Sequence, residues 1–382
     1  MKFILIGNYP PDKQESMKKY AVTLRDNLLH ESLQAEIIYP TIFFGYMAKT
    51  TVAGIGKWLG YLDKWILFPI VLRFKRLFSS ELSNKDTFFH ICDHSNSPYF
   101  KSLPAERTGI TCHDVLAIRG ARGYKDAYCP ASATGKILQN WIFKNLKKAK
   151  ILTTVSQLTM NQLLELCGDT VPGDQWKVIH NSFNGDFAPV NIEDSTRLLG
   201  GTGIAPGQPF ILTVGSSLPR KNRKMLLEMT AALKTKWDGL ICFAGQPLNE
   251  TLLKQIKEFG LEDRVISIVK PDHATLLALY SSCTAFIFPS YSEGFGWPLI
   301  EAQACGAPVI ASNVEPMPEI SNGTAIHADP NQPVDFANGL QLLLDPLRRC
   351  EFIELGFKNA LRFDSRWLTR EFIGLYIKSR NN

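Results

Sequence analysis

The sequence predicts an α/β protein made of two doubly wound parallel sheets in tandem. Three observations carry this. The chain has 382 residues, more than one hydrophobic core usually serves. Short apolar runs alternate with amphipathic helical stretches, the pattern of parallel βαβ units. The alternation stops in a cluster of Asn, Gly and Pro at 178–189, "VIHNSFNGDFAP", and restarts at 209. The expected domains are therefore 1–183 and 184–364, with the final helical stretch 365–382 returning to the first.

Each element has its own signal. "KFILIG" is a first strand, and "SMKKYAVTLRDNLL" shows helical spacing after it. Because its apolar run is short and ends in a turn, the N-terminus reads as a strand and not as a signal peptide. "AEIIYP", "DTFFHIC", "GITCHDV" and "KILTTVS" continue the first sheet. "PFILTVGS" (209–216), "GLICFAG", "RVISIV", "TAFIFPS" and "PVIAS" make the second, with helices such as "NRKMLLEMTAALKT" and "DHATLLALYSSC" between them. Doubly wound sheets bind ligands at the carboxyl ends of their strands, and pockets favour domain interfaces. A central cleft between the two sheets is the expected site.

Composition narrows the classes. A hydrophobic share of 45% and a charged share of 20% suit a soluble globular protein. The formal charge of +6 suits an acidic ligand or membrane surface. The eight cysteines form no CxxC and no Cys/His cluster, so no metal site is expected and buried reduced thiols are. No G-x-G-x-x-G follows the first strand, which argues against a dinucleotide dehydrogenase. The basic stretches carry no nucleic-acid reading motif.

Four strand-end motifs carry chemistry. In "FPSYSEGFGWPLIEAQACGAP", Glu293 lies in the loop and Glu301 on the first turns of a helix that Pro298 opens and Gly306 and Pro308 end. The helix start favours a phosphate. The two carboxylates suit vicinal hydroxyls, such as the ribose and the sugar of a nucleotide-sugar; alternatively, Glu301 only meets the helix dipole and Glu293 is solvated. In "VGSSLPRKN", Arg220 and Lys221 can neutralise a diphosphate or form a solvated basic turn. In "GITCHDVLA", His113 can bond a sugar hydroxyl or a backbone carbonyl, and Asp114 can cap the next segment. In "GNYPPDKQESMKKY", Ser16 can cap the helix and meet an anion.

Together these motifs resemble the retaining glycosyltransferases of family 4, with the GT-B fold of two Rossmann-like domains, over nearly the whole chain. The strongest likeness is the E-x7-E motif "EGFGWPLIE" between "FPSYS" and "AQACGAPVIAS". The resemblance implies that Glu301 holds the ribose and Glu293 the transferred sugar. It also implies that Arg220 and Lys221 take the diphosphate and that His113 contacts the sugar. Gly294, Phe295, Gly296, Leu299 and Ser16 would complete donor binding. The implied reaction moves a hexose from a GDP-, UDP- or ADP-sugar to a glycan or lipid-linked acceptor, in polysaccharide or envelope glycan synthesis. It proceeds by front-face attack, without a metal or other cofactor. Two departures stand out: Glu15 and Ser16 replace a glycine pair of many relatives, and Ser216 replaces an arginine. The competing readings are a GT-B epimerase or phosphorylase and a sugar-nucleotide-binding protein without catalysis.

The stretch 46–78 carries Lys49, Lys57, Lys64, Arg73, Lys75 and Arg76 against one acid, Asp63, with aromatic residues interleaved. It suits an anionic membrane interface or a helix with an aromatic core face. The expected location is the cytoplasm, peripheral at the inner face of a membrane. "KILQNWIFKNLKKAK" reads as an ordinary amphipathic helix.

Overall fold

A computed structural model describes residues 1–48, 50, 51, 53–169 and 175–381. Lys49 of the basic stretch lies outside the described residues. The chain divides into two compact units: Met1–Gly185 with Ser365–Asn382, and Asp186–Asp364.

The first unit holds strands β1 (Lys2–Ile6), β2 (Gln34–Ile38), β3 (Thr87–Ile91), β4 (Thr108–Cys112), β5 (Ile151–Thr154) and β6 (Trp176–Val178). They form one sheet in the order β2-β1-β3-β4-β5-β6, with every pair parallel. The continuous apolar run of β1 is explained by helices on both faces. Phe3 and Leu5 pack with Ala21, Leu24 and Leu28 of the helix Glu15–His30 and with Leu368, Phe372 and Tyr376 of the helix Ser365–Asn381. Ile4 and Ile6 face the opposite core, with Phe68, Leu72 and Tyr99. Alternate residues thus serve opposite layers.

The second unit holds β7 (Phe210–Gly215), β8 (Leu240–Gly245), β9 (Val265–Val269), β10 (Ala285–Phe288), β11 (Val309–Ser312) and β12 (Ile326–Ala328). The order is β12-β11-β10-β7-β8-β9, again all parallel. Counted from β7, this is the Rossmann order, and the winding reverses between β7 and β10. On one face of this sheet Ile211, Phe243, Ile287 and Ile310 share a core, while Leu212, Cys242 and Phe286 are buried on the other.

The stretch 46–78 packs one face into the first unit and leaves aromatic residues of the other exposed. Helices Gly54–Leu62 and Phe68–Phe78 join through an i→i+5 turn at Asp63–Leu67. Phe68 and Leu72 enter the core, whereas Trp58 and Phe74 are exposed. Lys64 is not a surface charge: it is buried in an ion pair of 2.6 Å with Asp12. Asp63 is buried too, accepting from Tyr9 Oη and from the backbone N–H groups of Phe43, Phe44 and Gly45. No helix among the described residues is long and apolar enough to cross a membrane. All eight cysteines are free, and only Cys129 and Cys350 are exposed.

Candidate donor site

The candidate site of the second unit forms where β7 and β10 lie side by side. β7 runs into the turn Pro219–Lys221, and Asn222 follows in the left-handed conformation, φ 48°. Asn222 fixes that turn by donating from Nδ2 to the carbonyls of Pro289 (3.2 Å) and Pro330 (2.8 Å). The Tyr291 N–H donates to the Arg220 carbonyl at 2.8 Å. The loops after β7 and β10 are therefore stitched together through their backbones.

That stitching brings Arg220, Lys221 and Glu293 into one cluster. Arg220 Nη1 donates to Glu293 Oε2 and to the Ser292 carbonyl, both at 2.7 Å. Lys221 Nζ donates to Glu293 Oε1 at 2.5 Å and lies over the Phe288 ring. Glu293 is only 7% exposed, so it is no solvated loop residue. Burial pushes its carboxyl upward, but Lys221 and Arg220 outweigh this and hold it below the usual carboxylate range. Assigning the acid and the cations to separate ligand groups misses this contact: here they bind each other, because β7 and β10 pair directly. Two cations against one carboxylate leave the cluster positive.

Gly294, Phe295 and Gly296 lead into the helix Trp297–Ala304. Gly296 has φ 104°, a region that favours glycine, and a Cβ there would stand 3.3 Å from the Phe288 ring. Phe295 is buried edge-on against Phe363. Glu301, the fifth residue of the helix, is buried, and Tyr280 Oη donates to its Oε2 at 3.1 Å. Leu299 is wholly buried, and its N–H donates to the Gly296 carbonyl at 3.0 Å. A small hollow at the strand ends is lined by Gly215, Lys221, Arg223, Phe288 and Ser290.

His113 and Ser16 belong to the first unit. His113 is buried, with Nε2 2.8 Å from the Cys92 carbonyl and its ring edge-on to Tyr20. Of its two expected partners the structure shows the backbone carbonyl. Burial holds its imidazole below the ordinary value, with Asp93 partly offsetting this. Asp114 caps the next segment by accepting from the Leu116 N–H at 3.0 Å. Ser16 is not the helix cap. It is exposed and is the second residue of the helix Glu15–His30; Gln14 holds the cap position without a side-chain bond to the helix N–H groups, its Oε1 accepting from Asn8 Nδ2 instead. The reason is local: Lys13, at φ 52°, closes the preceding turn and starts the helix earlier.

Sequence reasoning missed Asn222 and Arg223 in the turn after β7, Tyr280 on the helix His273–Ser282, and Asn8 and Asp93 in the first unit. Asn8 and Asp93 follow β1 and β3, where the first sheet reverses its winding, and Asn8 Nδ2 donates to Asp93 Oδ2 at 2.5 Å. The signal for Asn222 and Arg223 was their place in the same turn as the cations. Among the described residues no three His, Cys, Asp or Glu side chains gather as a metal site.

Residues 195–355, which hold this whole cluster, match the family profile of glycosyl transferases group 1. This chain is a glycosyltransferase. Among its relatives is the O-antigen chain mannosyltransferase B of Escherichia coli, 29% identical over 71% of this chain and 70% of that protein. The O-antigen chain mannosyltransferase RfbU of Salmonella typhimurium is 24% identical over 68% of each. The glycosyltransferase also shares its GT-B fold with solved structures. Sucrose-phosphate synthase from Thermosynechococcus elongatus superposes with a TM-score of 0.74 at 19% identity, over 99% of both chains. Anabaena HepE, solved with UDP and glucose, superposes with 0.70 at 16% identity, over 98% of both.

Proposed function

We propose that this glycosyltransferase moves a hexose from a nucleoside-diphosphate sugar to a glycan or lipid-linked acceptor, with retention at the anomeric carbon, in polysaccharide or envelope glycan synthesis. Mannose is the first sugar to test, since the O-antigen relatives are mannosyltransferases. The observation that carries the reading is the clasp of Arg220 and Lys221 on Glu293 at the switch point of the second sheet. Such a point is where doubly wound sheets hold nucleotides.

In this reading Arg220 and Lys221 take the diphosphate. Glu293 holds both head groups in position and accepts from the sugar hydroxyls, and Glu301 accepts from the ribose. The bond from the anomeric carbon to phosphate breaks while the bond to the acceptor oxygen forms on the same face. The acceptor's proton passes to the departing phosphate oxygen. Rate comes from fixed cations at the oxygen that gains charge, and from positioning. The N–H groups at Gly294–Gly296, Leu299 on the first turn of the helix, and Ser16 and His113 of the first unit are proposed as further donor contacts. A lipid-linked acceptor would hold the enzyme at the inner face of a membrane.

The test is turnover of a panel of GDP-, UDP- and ADP-sugars, read as nucleoside diphosphate released with an acceptor present. Lys221→Met is expected to lower kcat by about 10²–10³ on the accepted donor. Full activity in that variant would overturn the reading.

A further inference from the structure

The geometry points to the outer face of residues 54–78 as an in-plane docking surface for an anionic lipid bilayer. From Ile55, the exposed apolar residues run Trp58, Leu62, Ile66, Ile70 and Phe74, one per turn, with Trp58 59%, Ile66 56% and Phe74 57% exposed. The inner face repeats at the same step: Gly60, Lys64, Phe68 and Leu72 are buried. With 3.6 residues per turn, a run of four-residue steps drifts around an α-helix. The i→i+5 turn at Asp63–Leu67 widens one turn and removes part of that drift. Two straight stripes, one for the core and one for solvent, are the outcome.

Charge identifies the occupant. Asp63 is the one acid in 46–78, and it is wholly buried. The exposed charged residues along 54–78 are Lys57, Arg73 and Lys75, all positive. Neither Lys57 nor Lys75 has a carboxylate in ion-pair reach among the described residues. An apolar stripe with Trp and Phe, whose own helices expose only cations, matches the boundary between anionic headgroups and acyl chains; Glu36 and Glu81, which line a hollow with Lys75, both reach Lys2. The surface is also tied firmly to the unit. Lys64 pairs with Asp12, and Tyr9 donates to Asp63 at 2.6 Å, so the helix is held to the loop that follows β1.

This inference adds a partner surface to the proposed function but stands on the exposed face alone, because vesicle binding needs neither donor nor acceptor. The experiment is co-sedimentation of the full chain with phosphatidylglycerol–phosphatidylcholine vesicles and with phosphatidylcholine vesicles. The wild type is expected to partition onto the anionic vesicles and to release as salt rises. The triple variant Trp58→Gln, Ile66→Gln, Phe74→Gln should lose more than about tenfold in partition with an unchanged melting temperature. Lys57→Gln with Lys75→Gln should lose about fivefold per charge on anionic vesicles only. Absence of wild-type binding, or equal binding by the triple variant, overturns the inference. So does a concentration-dependent dimer that the triple variant abolishes while vesicle binding stays the same. Donor turnover on a soluble acceptor is measured alongside, so that failure to bind vesicles and failure to transfer sugar are read separately.

Discussion

A carboxylate as deeply buried as Glu293 has to be paired, and its two partners arrive from one turn, Arg220 and Lys221. Removing one partner of such a pair leaves charge in a dry place, at about 3 kcal/mol. Glu293→Gln strands both cations and is therefore expected to lower stability as well as activity, and Lys221→Met with Glu293→Gln to recover part of the stability and none of the activity. Urea unfolding of the four proteins of that cycle checks this. The folded carboxyl of Glu293 sits below its unfolded value. Its stabilisation is therefore present above about pH 4.3 and is lost as pH falls through the folded value. His90 adds acid sensitivity at higher pH. Burial pushes its imidazole down to about 3, with His113 adding to the effect, while the unfolded chain takes up the proton near 6.5. Between those values the unfolded state binds more protons, so stability should fall with acidification by about 1.4 kcal/mol per pH unit from this residue. His90→Gln should flatten that slope in urea unfolding at pH 7, 6 and 5; an unchanged slope would contradict it.

At the scale of elements, the close approach of β7 and β8 has a sharp consequence. Gly245 has φ 116°, and a Cβ there would stand 2.5 Å from the Gly215 carbonyl, at the end of the strand that feeds the cation turn. Gly245→Ala should therefore cost more than about 1 kcal/mol and weaken donor binding together with stability, measured by thermal melting with and without nucleoside diphosphate. Most strands were legible because helices cover both faces, which turns each strand into an apolar run such as "FILTVG" or "LICFAG". β12, Ile326–Ala328, is three residues long, too short for any period to show. The stretch 54–78 was ambiguous for a physical reason: it carries two apolar stripes, and composition cannot say which one the core takes. The clasp on Glu293 was illegible too, because it depends on β7 and β10 being neighbours across more than seventy residues.

At the scale of the molecule, the chain order sets a folding requirement. The helix Ser365–Asn381 comes last, yet Leu368, Phe372, Leu375 and Tyr376 lie in the core of the first unit with Phe3 and Leu5. Tyr376 Oη is 2.6 Å from His90 Nδ1, inside the same unit. Losing several large core side chains at about 3 kcal/mol each exceeds the few kcal/mol that hold most domains. A chain ending at Asp364 should therefore lose the cooperative unfolding transition of the first unit, read by urea-induced fluorescence change. Retention of that transition would show the helix to be dispensable.

The most direct measurement is calorimetric titration of the accepted nucleoside diphosphate, and of the nucleoside alone, onto the wild type and Arg220→Met with Lys221→Met. Grip of the diphosphate by this pair predicts that the double variant loses nucleoside diphosphate affinity by more than about a hundredfold, some 3 kcal/mol, while nucleoside affinity stays the same. Equal nucleoside diphosphate affinity in the two proteins would contradict it.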